Sequence, residues 1–111
     1  MACTRFAVIV TLGLRSFLCH ADATPATDAG QELYRSVCSA CHGPENVMVS
    51  APKAGDIAEW GRRLAKGPKG IEALTDNAIN GFAAMPPKGG ASELTREQVR
   101  QAIEYMAAPR K

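Results

Sequence analysis

Apolar residues recur at helical spacing in separate segments of the chain, and no segment shows the alternation typical of a strand. The last helical segment is the best specified, because Thr95 and Gln98 form a predicted capping box at its start and Pro109 ends it. Its apolar face consists of Val99, Ala102, Ile103 and Met106. The pattern predicts an all-α fold of about four short helices joined by long loops.

Capping residues locate the start of the other helices. Asp28 is the predicted cap of the first, and Asp56 with Glu59 forms a second predicted capping box. The predicted spans are 29–42, 57–66 and 71–80. Glycine and proline then mark the loops between these helices.

The first residues have the pattern of a secretory signal peptide. Arg5 precedes an apolar run over 6–14, and Ala21-Asp22-Ala23 offers a cleavage site of small residues. The run is shorter than the ~20 apolar residues that a membrane span requires. We therefore expect a signal peptide over residues 1–23, removed on export, and a single domain over residues 24–111.

The composition of the chain argues against nucleic acid as a partner and indicates a small core. The chain has 111 residues, with 13 basic and 11 acidic side chains, and this near balance gives no basic field for nucleic acid. Aromatic residues make up only 5% of the sequence, so the core is mainly aliphatic and small. A short chain of this kind usually needs a covalent staple or a large apolar guest.

The segment Cys38-Ser39-Ala40-Cys41-His42 indicates which large apolar group the chain binds. A C-x-x-C-H run is the attachment signature of a c-type haem. Cys38 and Cys41 are spaced on a helical turn so that each thiol can add to a vinyl group of one porphyrin. His42 would then lie under the ring as an axial ligand of the iron. We therefore predict one covalent haem c.

The second axial ligand has to come from elsewhere, because His20 leaves with the signal peptide and no other histidine remains. Among the methionines, Met106 falls on the apolar face of the last helix, and Met48 follows the haem motif too closely to reach the opposite face. Met85 precedes two prolines that fix the backbone. Met85 is the predicted ligand, and a buried loop methionine is the alternative.

Three further residues are candidates for contact with the haem or its ligand. The carbonyl of Pro52 could accept a hydrogen bond from His42, or Pro52 could be a plain loop proline. Trp60 and Arg63 could donate to a haem propionate, the alternatives being core packing and a solvated face. A set of lysines could attract an acidic partner or simply aid solubility. These lysines are Lys53, Lys66, Lys69 and Lys88.

Several motifs together resemble the cytochrome c5 branch of the class I cytochromes c, over roughly residues 29–107. They are the haem motif, the run 51–56, Trp60, Arg63, the run 81–90 and the run 102–106. The resemblance implies an all-helical fold around one haem c, with His42 and Met85 as axial ligands. Many members carry a second C-x-x-C after the methionine loop, where this chain has Ala91 and Leu94.

The expected function is that of a periplasmic electron carrier in the respiratory chain of a Gram-negative bacterium, and not an enzyme. Electrons would pass through an exposed haem edge between a quinol-oxidising complex and a terminal oxidase or reductase. We expect a monomer or weak dimer without membrane insertion once the leader is removed. The alternative is a peroxidase or gas sensor with a labile Met85. A thioredoxin-like site lacks its βαβ setting, and a zinc site lacks a fourth ligand.

Overall fold

The computed structural model describes residues 26–67 and 69–109, and within these ranges the protein is helical. The α-helices are α1 (Ala26–Leu33), α2 (Ser39–His42), α3 (Ile57–Leu64), α4 (Gly70–Asn80) and α5 (Arg96–Ala107). A π-helical turn, Tyr34–Cys38, joins α1 to α2 without a break, so the predicted first helix is one continuous segment with a wide turn inside it. Strand pairing in the described part is limited to a single bridge between Phe82 and Met85. The predicted all-α fold is confirmed.

The helix starts agree with the sequence prediction in part. Thr95 and Gln98 form the complete capping box of α5. Asp56 accepts a hydrogen bond from the Glu59 amide at 3.0 Å, but the Glu59 side chain binds arginines of its own helix instead of closing the box. Asp28 does not cap α1, because that helix is already formed at Ala26. The predicted signal peptide lies outside the described residues.

The two terminal helices, α1 and α5, cross at very short range. A Cβ atom added to Gly30 would lie 2.3 Å from the carbonyl oxygen of Gln101, so only glycine permits this approach. The rings of Tyr34 and Tyr105 pack beside the crossing, with their centroids 5.3 Å apart. This contact fixes the start of the haem motif against the last helix.

The core lies between α3, α4 and α5. Its buried side chains include Trp60, Ala78, Leu94, Val99, Ile103 and Met106. On the surface, the guanidinium of Arg96 joins α5 to α4 by reaching Glu72 at 2.8 Å and Asp76 at 2.6 Å. These ion pairs close the base of the loop that carries Met85. Among the described residues, none of the helices has the length and apolar character needed to cross a bilayer.

Exchanging glycine for alanine should have opposite effects at two helical positions. Gly30→Ala should lower the free energy of unfolding by ~1–3 kcal/mol, because the backbone oxygen it meets cannot move aside. Gly61 of α3 has no atom near its Cβ position, so Gly61→Ala should raise stability by ~0.5–1 kcal/mol through helix propensity. Denaturant unfolding of the two variants checks this. Equal effects at both positions would contradict the close crossing.

Candidate functional site

The wide π-helical turn ends at the first cysteine of the C-x-x-C-H motif. Turns of this kind are frequently found at functional sites. Cys38 is half-buried, Cys41 is exposed and His42 is buried, and both thiols are free. Burial, with a smaller contribution from Cys41, raises the pKa of the Cys38 thiol to about 11. The thiol therefore keeps its proton at neutral pH.

All three motif side chains line one cavity of about 530 Å³. Its wall is mainly apolar, and Leu74 of α4 and Ile103 of α5 contribute to it. The volume falls within the roughly 300–1,000 Å³ of cofactor and ligand pockets. Two thiols, an imidazole and an apolar wall in one cavity of this size fit a covalently attached haem.

His42 is held by its ring and by its backbone. Its Nδ1 lies 2.7 Å from the carbonyl oxygen of Pro52, which can only accept, so Nδ1 carries the proton and Nε2 keeps a free lone pair. Burial lowers the pKa of the imidazole, against an opposing effect of the bond to Pro52. The ring is therefore neutral at neutral pH, the form in which a histidine binds iron.

The backbone segment 52–55, which we call the strap, binds the histidine at two points. Besides the Pro52 contact, the Ala54 amide donates to the His42 carbonyl oxygen at 2.9 Å. The Lys53 ammonium donates to the Cys41 carbonyl oxygen at 3.0 Å. The hydrogen bond expected between Pro52 and His42 is thus present, within a set of contacts that the sequence did not indicate.

Trp60 makes a different contact from the one predicted. Its ring is buried and lines the cavity, but its indole N–H donates to the carbonyl oxygen of Lys53 at 2.9 Å. An indole has one donor and no acceptor. In this structure the strap provides the acceptor for that single donor, and a hydrogen bond from Trp60 to a propionate stays a prediction.

Met85 lines the cavity from a tight loop. The amide of Phe82 donates to the Met85 carbonyl oxygen at 3.1 Å, and the Met85 amide donates back at 2.9 Å. This closure places Ala83 in the left-handed region, at a φ of 51°. Met48 is 88% exposed and does not line the cavity, whereas Met106 is packed in the core and forms part of the cavity wall.

The charged residues that line the cavity are all basic: Arg63, Lys66 and Lys88. Arg63 is held by Glu59, with Nε and Nη2 at 2.8 and 2.7 Å from one carboxylate oxygen. Of the four lysines considered as attracting an acidic partner, Lys66 and Lys88 line the cavity, whereas Lys53 and Lys69 do not. No carboxylate is found among the lining residues in the described part of the chain.

Comparison with known proteins shows the family of this chain. Residues 25–106 match the family described as cytochrome C oxidase, cbb3-type, subunit III. The chain is 38% identical over 87 residues to cytochrome c-555 of Chlorobaculum tepidum, covering 75% of this chain and 76% of that protein. The protein belongs to the class I c-type cytochromes. Cytochrome c5 of Azotobacter vinelandii is a further relative of this cytochrome, 36% identical over 80 residues that cover 71% of this chain and 92% of that one.

Solved structures give the same family. A chain in the crystal structure of an electron transfer complex of nitrite reductase with cytochrome c superposes with a TM-score of 0.61 at 39% identity, covering 71% of this cytochrome and 90% of that chain. A mono-haem ferrocytochrome c from Shewanella putrefaciens gives 0.60 at 33% identity, covering 81% and 100%. The relatives are electron carriers rather than enzymes, and the family implies covalently bound haem c.

Glycine should be tolerated differently at two adjacent exposed positions of the methionine loop. Ala83→Gly removes a left-handed alanine, which costs ~1 kcal/mol, and this gain offsets the added freedom of the unfolded chain. Ala84 has no such strain, so Ala84→Gly should lower the free energy of unfolding by ~0.5–1 kcal/mol. Thermal unfolding of the two variants measures the difference. A larger loss for Ala83→Gly would show that its backbone is not strained.

Proposed function

We propose that this cytochrome is a periplasmic one-electron carrier of a bacterial respiratory chain. The observation that carries the proposal is that Cys38, Cys41, His42 and Met85 line one apolar cavity. Haem bound there would supply a one-electron iron couple. Homology to electron carriers supports a role in electron transfer, and the export pattern of residues 1–23 supports a periplasmic location.

Each site residue has a role in this proposal. Cys38 and Cys41 would hold the haem covalently, and His42 would bind the iron through Nε2. The Met85 thioether would be the second iron ligand, which would favour the reduced state and raise the reduction potential. Two protein ligands would leave no open position for a substrate, so electrons would leave through the haem edge. Arg63, held by Glu59 at the cavity wall, is the proposed partner of a propionate.

Met85→Ala should open the iron to external ligands. In protein made in an exporting host with haem-attachment machinery, the variant should lose the far-red sulfur–iron band when oxidised and bind CO when reduced. Met48→Ala is the matched control, because Met48 is exposed and does not line the cavity. Optical spectra of both variants and of the unaltered protein check this.

The same preparation separates the carrier from its alternatives. An unaltered protein that ignores CO supports a carrier, whereas CO binding without mutation would favour a gas sensor or peroxidase with a labile Met85. Haem that washes out in denaturant would contradict attachment through the cysteines.

Periplasmic protein should begin at Thr24 by mass spectrometry, and recovery with residues 1–23 intact would contradict cleavage there.

The proposed partners are redox proteins: a quinol-oxidising complex as donor and an oxidase or reductase as acceptor. The nitrite reductase complex of a similar cytochrome supports a reductase. The basic residues at the cavity, without a lining carboxylate in the described part of the chain, favour a partner with an acidic face.

Charge reversal at the cavity should change electron-transfer rates according to the charge of the reagent. Lys66→Glu and Lys88→Glu should slow oxidation by anionic ferricyanide several-fold at low salt and accelerate oxidation by a cationic cobalt complex. Lys69→Glu is the control, because it makes the same charge change at an exposed lysine that does not line the cavity. Stopped-flow kinetics measure these rates. Equal effects of all three variants would mean that electrons do not leave beside Lys66 and Lys88.

A further inference from the structure

We propose that Trp60 is a positioning residue for His42, and that it acts through the strap rather than through the haem. The inference rests on the proposed role of His42 as iron ligand. The two rings lie 6.1 Å apart between centroids, and the single indole N–H donates to the Lys53 carbonyl oxygen instead of to the imidazole, so the connection runs through the backbone of the strap.

Two consecutive peptide groups of the strap make this connection. The first has its carbonyl on Pro52 and accepts the His42 Nδ1 proton at 2.7 Å. The second accepts the Trp60 indole proton on its Lys53 carbonyl at 2.9 Å and donates through the Ala54 amide to the His42 carbonyl at 2.9 Å. The peptide group that Trp60 binds is therefore also bound to the histidine.

Trp60 is the rigid end of this connection. It is 4% exposed and lies in the core on α3, whose first turn is capped by Asp56. The Asp56 amide donates to the same Lys53 carbonyl at 3.1 Å, and the Gly55 amide donates to the Met106 carbonyl at 2.7 Å. The strap is thus fixed to α3 and α5, while the histidine end of α2 is held by the strap.

This arrangement adjusts the ligand as well as its position. A donor on the Lys53 carbonyl polarises that peptide group and strengthens its amide as a donor to His42. A short bond from Nδ1–H to Pro52 fixes the ring and raises its basicity toward the metal. Loss of the indole proton should loosen the strap and weaken the hydrogen bond from Nδ1–H to Pro52. The imidazole would then be a poorer donor to the iron, so the reduction potential should rise.

The variant Trp60→Phe removes the indole proton while keeping an aromatic ring in the core. In the reduced holoprotein, exchange of the His42 Nδ1 proton with D₂O, followed by NMR, should become about fivefold faster or more, the factor that one lost hydrogen bond gives. The reduction potential should rise. Thr75→Val is the control, because it removes a buried hydrogen bond of 2.8 Å to the Ile71 carbonyl, and neither residue lines the cavity.

The outcomes separate this inference from the function on which it rests. Unchanged proton exchange and potential in Trp60→Phe, in a protein that keeps its His42/Met85 spectrum, would overturn the positioning role alone. Loss of that spectrum in the unaltered protein would overturn the proposed function. Should the variant fail to fold, NMR of the unaltered holoprotein still tests the inference. Contacts of the indole proton with Lys53 and Ala54 would support it, and contacts with a haem propionate would refute it.

Discussion

This short chain builds its core around a large apolar cavity, and the rest of the structure depends on that arrangement. With 111 residues and few aromatic side chains, the protein has little apolar volume with which to stabilise a fold. The cavity of about 530 Å³ is lined by most of the buried residues of the core. The crossing of α1 and α5 at Gly30 closes the fold, and the covalent haem that the family implies would complete the core.

The two proposed iron ligands are supported in different ways. His42 is buried, and its ring and carbonyl both bind a strap that is fixed to α3 and α5. Met85 lies in a tight loop with one strained alanine, and the base of that loop is closed by surface ion pairs of Arg96. Exposed ion pairs contribute little to stability and are screened by salt. The histidine side is therefore the firmer part of the site.

Trp60 and Glu59 show how tertiary contacts overrule local patterns. The sequence offers Glu59 as the second half of a capping box, yet nearby arginines provide stronger, charge-assisted bonds for its carboxylate. Trp60 was expected to donate to a propionate, but a backbone carbonyl of the strap lies within reach of its single donor. In both cases the side chain has the predicted chemistry and a different partner, since the partner depends on how the loops fold back.

The sequence by itself determined the all-α class, the capping of α5, the haem motif and the choice of Met85 as the candidate second ligand. These depend on spacing within a few residues or on eliminating the other methionines. Only the tertiary structure decided that Gly30 meets Gln101, that Trp60 binds Lys53, and which basic residues line the cavity. The physical reason is that every residue carries the same backbone carbonyl, so no letter in the sequence marks which one will accept a distant donor.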